Sequence, residues 1–291
     1  MDHHHDHHSG GHEHSGTDAD SADALAELLE LDAEVLHDYL SGAIAWVASQ
    51  APDRPQYQII DLGSGTGTAA IALAQRFSGA GVLAVDASAE MLARVQAKAL
   101  DLGLDGRVET LQADLDGPWP DTGPADVVWA SMSLHHLADP DRALTEVFTS
   151  ARPGALVAIA EMNSLPRFLP DDIGLGRPGL EARCRAAAAE LNAHRLPHLG
   201  ADWGPRLAKA GFTAVAERTF SIDLDPPLPP ATGRYAWLVL RRTREQLDGT
   251  LDAQDLATLD TLIDTGGPGS VLHRHDLAVR GTRTIWTGRR P

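Results

Sequence analysis

Apolar and polar positions along the chain alternate between two rhythms. Short apolar runs bounded by Gly, Asp or Ser are separated by longer stretches with apolar residues three and four apart. The runs Gln58–Ile60 before Asp61, Val82–Val85 before Asp86, Val108–Leu115 with its Asp114, Ala125–Ala130 and Leu156–Glu161 read as buried strands. Between them, Ala69–Phe77, Ala89–Ala99 and Pro140–Thr149 read as helices, the second capped by Ser88 and the third by Asp139 with Pro140 at its first position. Strand and helix in strict alternation predict a parallel sheet. Ahead of it, Ala24 to about Ser49 has helical spacing, with a cap at Ser21 or Asp23 and a break near Ser41-Gly42. Behind it come helices over 180–194 and 202–212, a strand over Thr213–Ile222, helices over Thr232–Leu247 and Ala253–Asp264, and a last strand over Leu277–Trp286.

The junction of the first strand and helix is Asp61-Leu62-Gly63-Ser64-Gly65-Thr66-Gly67-Thr68. Glycine reaches positive φ and carries no Cβ, so a ligand can lie against the backbone there. The helix start behind it offers unpaired N–H groups. A nucleotide-like cofactor suits such a turn. The dinucleotide fingerprint is G-x-G-x-x-G. Here the third glycine falls one residue early, and Asp61 would repel a pyrophosphate. Asp86 lies nineteen residues beyond Gly67, where a strand–helix–strand unit sets an acid against a ribose diol.

A glycine turn of the form D-x-G-x-G-x-G, followed by strands ending at Asp86 and Asp114, resembles the class I S-adenosylmethionine (SAM) methyltransferases. The segment Ser131–Pro140, with His135-His136 before Asp139-Pro140, resembles the ubiquinone-biosynthesis-like, small-molecule branch. The resemblance covers about residues 56–162. It implies an α/β, Rossmann-like, seven-stranded and mostly parallel sheet with the last strand antiparallel. Helices would cover both faces, with added N-terminal helices and helical cap insertions. It also implies a SAM site, with S-adenosylhomocysteine (SAH) as product. Asp61 would face the ammonium end, Asp86 the ribose and Asp114 the adenine amino group. Gly63, Ser64, Gly65, Gly67, Ala87, Met91, Leu115 and Ser131 would complete that site. The expected parts are a His-rich tail (1–20), an N-terminal helical cap (21–55), the SAM-binding core (56–162), a lid or substrate cap (163–200) and the rest of the core (201–291), with a helical insertion at about 227–268.

Composition narrows the partners. The 291 residues carry a formal net charge of −17, from 41 acids and 24 bases. Nucleic acid and anionic membrane demand a phosphate-neutralising surface, so neither is the expected substrate. No apolar run approaches a membrane span, and one cysteine, Cys184, excludes an intrachain disulfide and a cysteine zinc cluster. A cytoplasmic protein with a small-molecule acceptor is expected. Seven of the 14 histidines lie in residues 1–14, in a tail too polar to fold alone that would take up divalent metal adventitiously. No metal is expected in the active site.

Methyl transfer from a sulfonium is a displacement in which positioning supplies most of the catalysis. His135 and His136 are the candidates for a general base. Tyr39, Trp46, Arg167 and Trp203 are candidate acceptor contacts, and Arg177, Arg183 and Arg185 could also hold an anion. For each the plainer reading is packing or solvation. No N/D-P-P-Y/F and no Pro-Cys follows the fourth strand, and the acid and Asn cluster of magnesium-dependent catechol enzymes is missing. An O or N acceptor atom is therefore expected, with C as a third option. Two other classes stay open: a protein that binds SAM without transferring methyl, and an NAD(P)-dependent oxidoreductase, which Asp61 and the early third glycine oppose.

Overall fold

A computed structural model describes residues 15–162 and 164–291. The strands are β1 (Gln58–Leu62), β2 (Gly81–Asp86), β3 (Val108–Gln112), β4 (Ala125–Ser131), β5 (Ala151–Met162), β6 (Thr213–Leu224) and β7 (Val279–Arg289). They form one sheet in the order β3-β2-β1-β4-β5-β7-β6. β1 to β5 pair in parallel, and β7 runs antiparallel between β5 and β6, as expected. The order reverses beside β1, so the carboxyl ends of β1 and β4 diverge and open a crevice.

The central strands are apolar on both faces because both faces are covered. Ile59, Val127, Trp129, Ala158 and Ile285 pack under α1 (Ser15–Val35), α2 (His37–Gln50), α3 (Thr68–Arg76), α4 (Ala89–Asp101) and α8 (Thr232–Gln246). Ile60, Leu62, Val128, Val157 and Ile159 pack against α5 (Pro140–Ser150) and α7 (Trp203–Lys209). The helices α6 (Leu180–Arg195) and α9 (Ala253–Ile263) add to the first layer through Leu180, Cys184, Leu259 and Leu262. No helix among the described residues is long and apolar enough to cross a membrane.

Two capping residues read from the sequence act as such, whereas Ser21 and Asp23, expected as a cap, lie inside α1. Ser88 accepts from the Met91 N–H and Asp139 from the Arg142 N–H. Boundaries differ in three places. The first helix begins at Ser15, inside the segment expected to be tail, and the break to α2 falls at Leu36 rather than Ser41-Gly42. There Tyr39, Ala43, Ile44 and Val47 of α2 face the sheet, and a helix bent at residue 42 could not have buried all four. β3 ends at Gln112, so Asp114 stands two residues past the strand in a short turn, its Oδ1 accepting from the Asp116 N–H at 2.9 Å. β5 begins at Ala151, five residues ahead of the expected Leu156: Ala151 pairs with Ala125, and a register shift with Gly154 at φ 81° follows. The His-rich residues 1–14 lie outside the described residues.

Candidate active site

The crevice is a cavity of about 590 Å³. Its floor is the glycine turn with Asp61, Gly63, Ser64, Gly65 and Thr66. One side is Asp86, Ala87, Ser88 and Met91 after β2 together with Asp114, Leu115 and Asp116 after β3. Ser131, Met132, Ser133, His136 and Leu137 after β4 form another. The roof comes from α1 and the start of α2, through Leu25, Leu29, Asp32, Leu36 and Tyr39, with Arg283 of β7 beside them.

The turn has no room for side chains. Gly63 has φ 68°, and a Cβ on it would lie 2.4 Å from the Ser133 Cβ. That serine donates to the Leu62 carbonyl at 2.8 Å and so pins the β4 loop to the turn. Gly67, expected at the cofactor, is not a lining residue. Its φ is 79° and a Cβ there would meet Val95 at 2.7 Å, so it lets α3 and α4 approach.

Two acids organise the floor. Asp86 Oδ2 accepts from the Gly65 N–H at 2.8 Å and Oδ1 from the Ser88 N–H at 2.9 Å, so it shapes the turn and still has lone pairs toward the cavity. Asp61 is 1% exposed, and its Oδ2 has no hydrogen-bond partner among the described residues. Burial, with the charge of Asp86 added, pushes its carboxyl up to about 7. A buried carboxylate oxygen with no donor is costly unless a cation or N–H completes it.

The histidines after β4 occupy different surroundings. His135 is buried outside the cavity, with Nδ1 2.6 Å from Glu161 Oε2. His136 lines the cavity, its ring centroid 4.1 Å from that of His135. Burial, reinforced by the charges of His135 and Arg242, lowers the His136 imidazole to about 4, so it is neutral at pH 7.

Of the expected acceptor contacts, only Tyr39 lines the cavity. Trp46, two turns along α2 from Tyr39, packs edge-on against Phe220 and does not line the cavity. Trp203 is fully buried under the opposite face of the sheet, where apolar burial placed it. Arg167 pairs through its backbone with Arg280 and is not at the cavity. Arg177 and Arg183 are spent on Asp255, at 2.9 and 2.6 Å. The arginine that does reach the cavity is Arg283, with its partner Asp32. It occupies an inward position of β7, in step with the core residues Val279 and Ile285. A charged residue on the apolar parity of a strand is a signal the sequence carries.

A family model described as a methyltransferase domain matches residues 59–154. The demethylmenaquinone methyltransferase of Clavibacter sepedonicus is 32% identical over 198 residues, which are 62% of this chain and 76% of that protein. The chain belongs to the SAM-dependent methyltransferases. The trans-aconitate 2-methyltransferase of Deinococcus radiodurans is 36% identical over 108 residues, 37% of this chain and only 39% of that relative's length. The YcgJ protein of Bacillus subtilis shares the fold, with TM-score 0.51 at 16% identity over 86% of this chain and 98% of that one. The methyltransferase cavity fits the cofactor of the family on its own chemistry: Asp61 offers an unpaired buried oxygen to a cation, and the glycine turn leaves backbone space beside it. Among the described residues no group of three or more His, Cys, Asp or Glu is placed to hold a metal ion.

Proposed function

We propose that the protein transfers the methyl group of SAM to an O, N or C atom of a small-molecule acceptor and releases SAH. Bound SAM would supply an already activated methyl on its sulfonium. Asp61 carries the proposal, because a buried carboxylate oxygen with no donor suits an ammonium and rejects a pyrophosphate. In this reading Asp86 accepts from the ribose hydroxyls while holding Gly65 and Ser88, and Asp114 faces the adenine amino group. Met91, Leu115 and Ala87 give that end an apolar slot, and Ser64 and Ser131 flank the amino-acid end.

His136 is the acid–base group at the cavity. Neutral at pH 7, it can accept a proton from an acceptor O–H or N–H as the bond to methyl forms. His135, held by Glu161, positions that ring and is not itself in reach of an acceptor. The names of the relatives, a quinone-precursor and an aconitate methyltransferase, support a small acceptor.

The test is SAH release from SAM over a panel of small phenols, carboxylic acids and amines. At least one class should raise SAH production in the wild type, and His136→Ala should lower kcat on an O–H or N–H acceptor roughly 10²-fold or more. No turnover on any class, with SAM firmly bound, would contradict methyl transfer.

A further inference from the structure

We infer that Tyr39 and Arg283 form an acceptor subsite that holds an anionic oxygen, a carboxylate or a phenolate, of the molecule being methylated. The inference rests on the methyltransferase reading above, which supplies the acceptor.

Arg283 is 6% exposed in the apolar layer of β7. Asp32, from α1, keeps it charged: Asp32 Oδ2 accepts from Nη1 at 2.9 Å and Oδ1 from Nη2. Burial opposes that charge, but the attraction of Asp32 outweighs it and raises the guanidinium pKa. Asp32 Oδ1 also accepts from the Tyr235 hydroxyl, so this carboxylate is fully engaged. A guanidinium has five N–H donors, and Asp32 accepts from one on each Nη. Among the described residues the guanidinium has no carboxylate or carbonyl acceptor besides Asp32, and it lines the cavity. The Tyr39 and Tyr235 hydroxyls lie beside it and leave part of its donor set to the cavity.

Tyr39 stands beside it. The Arg283 guanidinium carbon lies 5.0 Å from the ring centroid, and Phe220 packs edge-on against the same ring. Tyr39 is 9% exposed, lines the cavity, and its buried hydroxyl has no acceptor among the described residues. Burial pushes the phenol up to about 12, so it remains a donor at neutral pH. Two donors without acceptors therefore meet at one wall. Donors of this kind, one a planar cation, select an oxygen that carries charge.

That oxygen has two sources, the acceptor or the carboxylate of the cofactor's amino-acid end. Strand register favours the acceptor. Asp61 pairs with Trp129, Trp129 with Ala158, and Ala158 with Thr287. Arg283 lies three strands across and four residues along from Asp61, roughly 19 Å between backbones at about 4.8 Å per strand and 3.3 Å per residue. The cofactor's carboxylate shares a carbon with the ammonium that Asp61 would hold, so it stays on the Asp61 side. The molecule beyond the sulfonium is the one that reaches Arg283.

The experiment is calorimetric titration of the full chain with SAH, then of the SAH-saturated protein with trans-aconitate, 4-nitrophenolate and benzylamine. At least one of the two anions should bind, identifying carboxylate or phenolate, and benzylamine should not. Tyr39→Phe and Arg283→Lys should each weaken that anion tenfold or more and leave the SAH Kd within twofold. Tyr39→Phe removes a hydroxyl with no acceptor among the described residues, so its Tm should be unchanged or higher, which separates lost binding from lost folding. Binding of benzylamine alone, binding of neither anion, or anion affinity unchanged in both variants overturns the subsite. A tenfold loss of SAH affinity in both variants overturns it in favour of the cofactor's carboxylate. Failure of the wild type to bind SAH would instead sink the methyltransferase reading.

Discussion

Asp61 is the residue whose chemistry decides most. In the ligand-free protein its carboxyl is raised to about 7 by burial and by Asp86. A free Asp loses its proton near 4. The folded state therefore holds a proton that the unfolded chain has released, and this contribution to stability is full below pH 4 and lost as pH rises through 7. It is on the order of 2–4 kcal/mol. Thermal unfolding of the ligand-free protein should thus show a loss of stability between pH 4 and 7 that Asp61→Asn lacks. Stabilisation by SAH should grow over the same range, as its ammonium meets an ionised partner. A flat SAH effect from pH 4 to 7 would remove Asp61 from the cofactor site. At Gly63 the constraint is steric. Gly63→Ala places a methyl 2.4 Å from the Ser133 Cβ at φ 68° and should cost about 1–3 kcal/mol, with SAH binding lost, measured by denaturation and titration. An alanine variant of wild-type stability would show that the turn tolerates a side chain.

At the scale of elements, the cavity owes its roof to the break at Leu36. α1 and α2 diverge there, so Leu29 of α1 lies over Gly65 while Tyr39 of α2 reaches Arg283. Arg234 of α8 fixes α1 through a bidentate pair with Glu27, at 2.6 and 2.7 Å. Leu29 is only half-buried, so Leu29→Ala should leave Tm within a few degrees. It should raise the SAH dissociation rate several-fold in stopped-flow displacement, because the roof then covers the ligand less tightly. A large fall in Tm with unchanged dissociation would make α1 part of the fold rather than a cover. The central strands are legible in the sequence because burial on two faces leaves apolar runs, stopped by an acid, a serine or a glycine. The N-terminal helices were legible as helices, but not their junction: Ser41-Gly42 has the composition of a break, while packing of Ala43, Ile44 and Val47 on the sheet carries α2 through it.

In the whole molecule, residues brought together from distant parts of the chain were the least legible. The wall proposed for the cofactor is local, since Asp61, Asp86 and Asp114 each end or follow a strand of a strand–helix unit. The wall proposed for the acceptor joins Asp32 and Arg283, 251 positions apart. Arg177 and Arg183 read as free to hold an anion, yet folding brings both to Asp255, 78 and 72 positions away. Arg283 is not among the residues singled out from the sequence, although its inward parity on β7 sets it apart. The net charge of −17 is spread over both the engaged acids and the surface, so it bears on partners and not on the cavity, whose recognition is set by a few buried groups.

The most direct test of the account is calorimetric titration of the protein at pH 8 with SAM and SAH, and separately with NADH, repeated on Asp61→Asn. SAM and SAH should bind in the micromolar range, NADH should give no heat, and Asp61→Asn should weaken SAM and SAH by about ten- to a hundredfold, the value of one charge-assisted contact. NADH binding in place of SAH, or SAH affinity unchanged in Asp61→Asn, would contradict it.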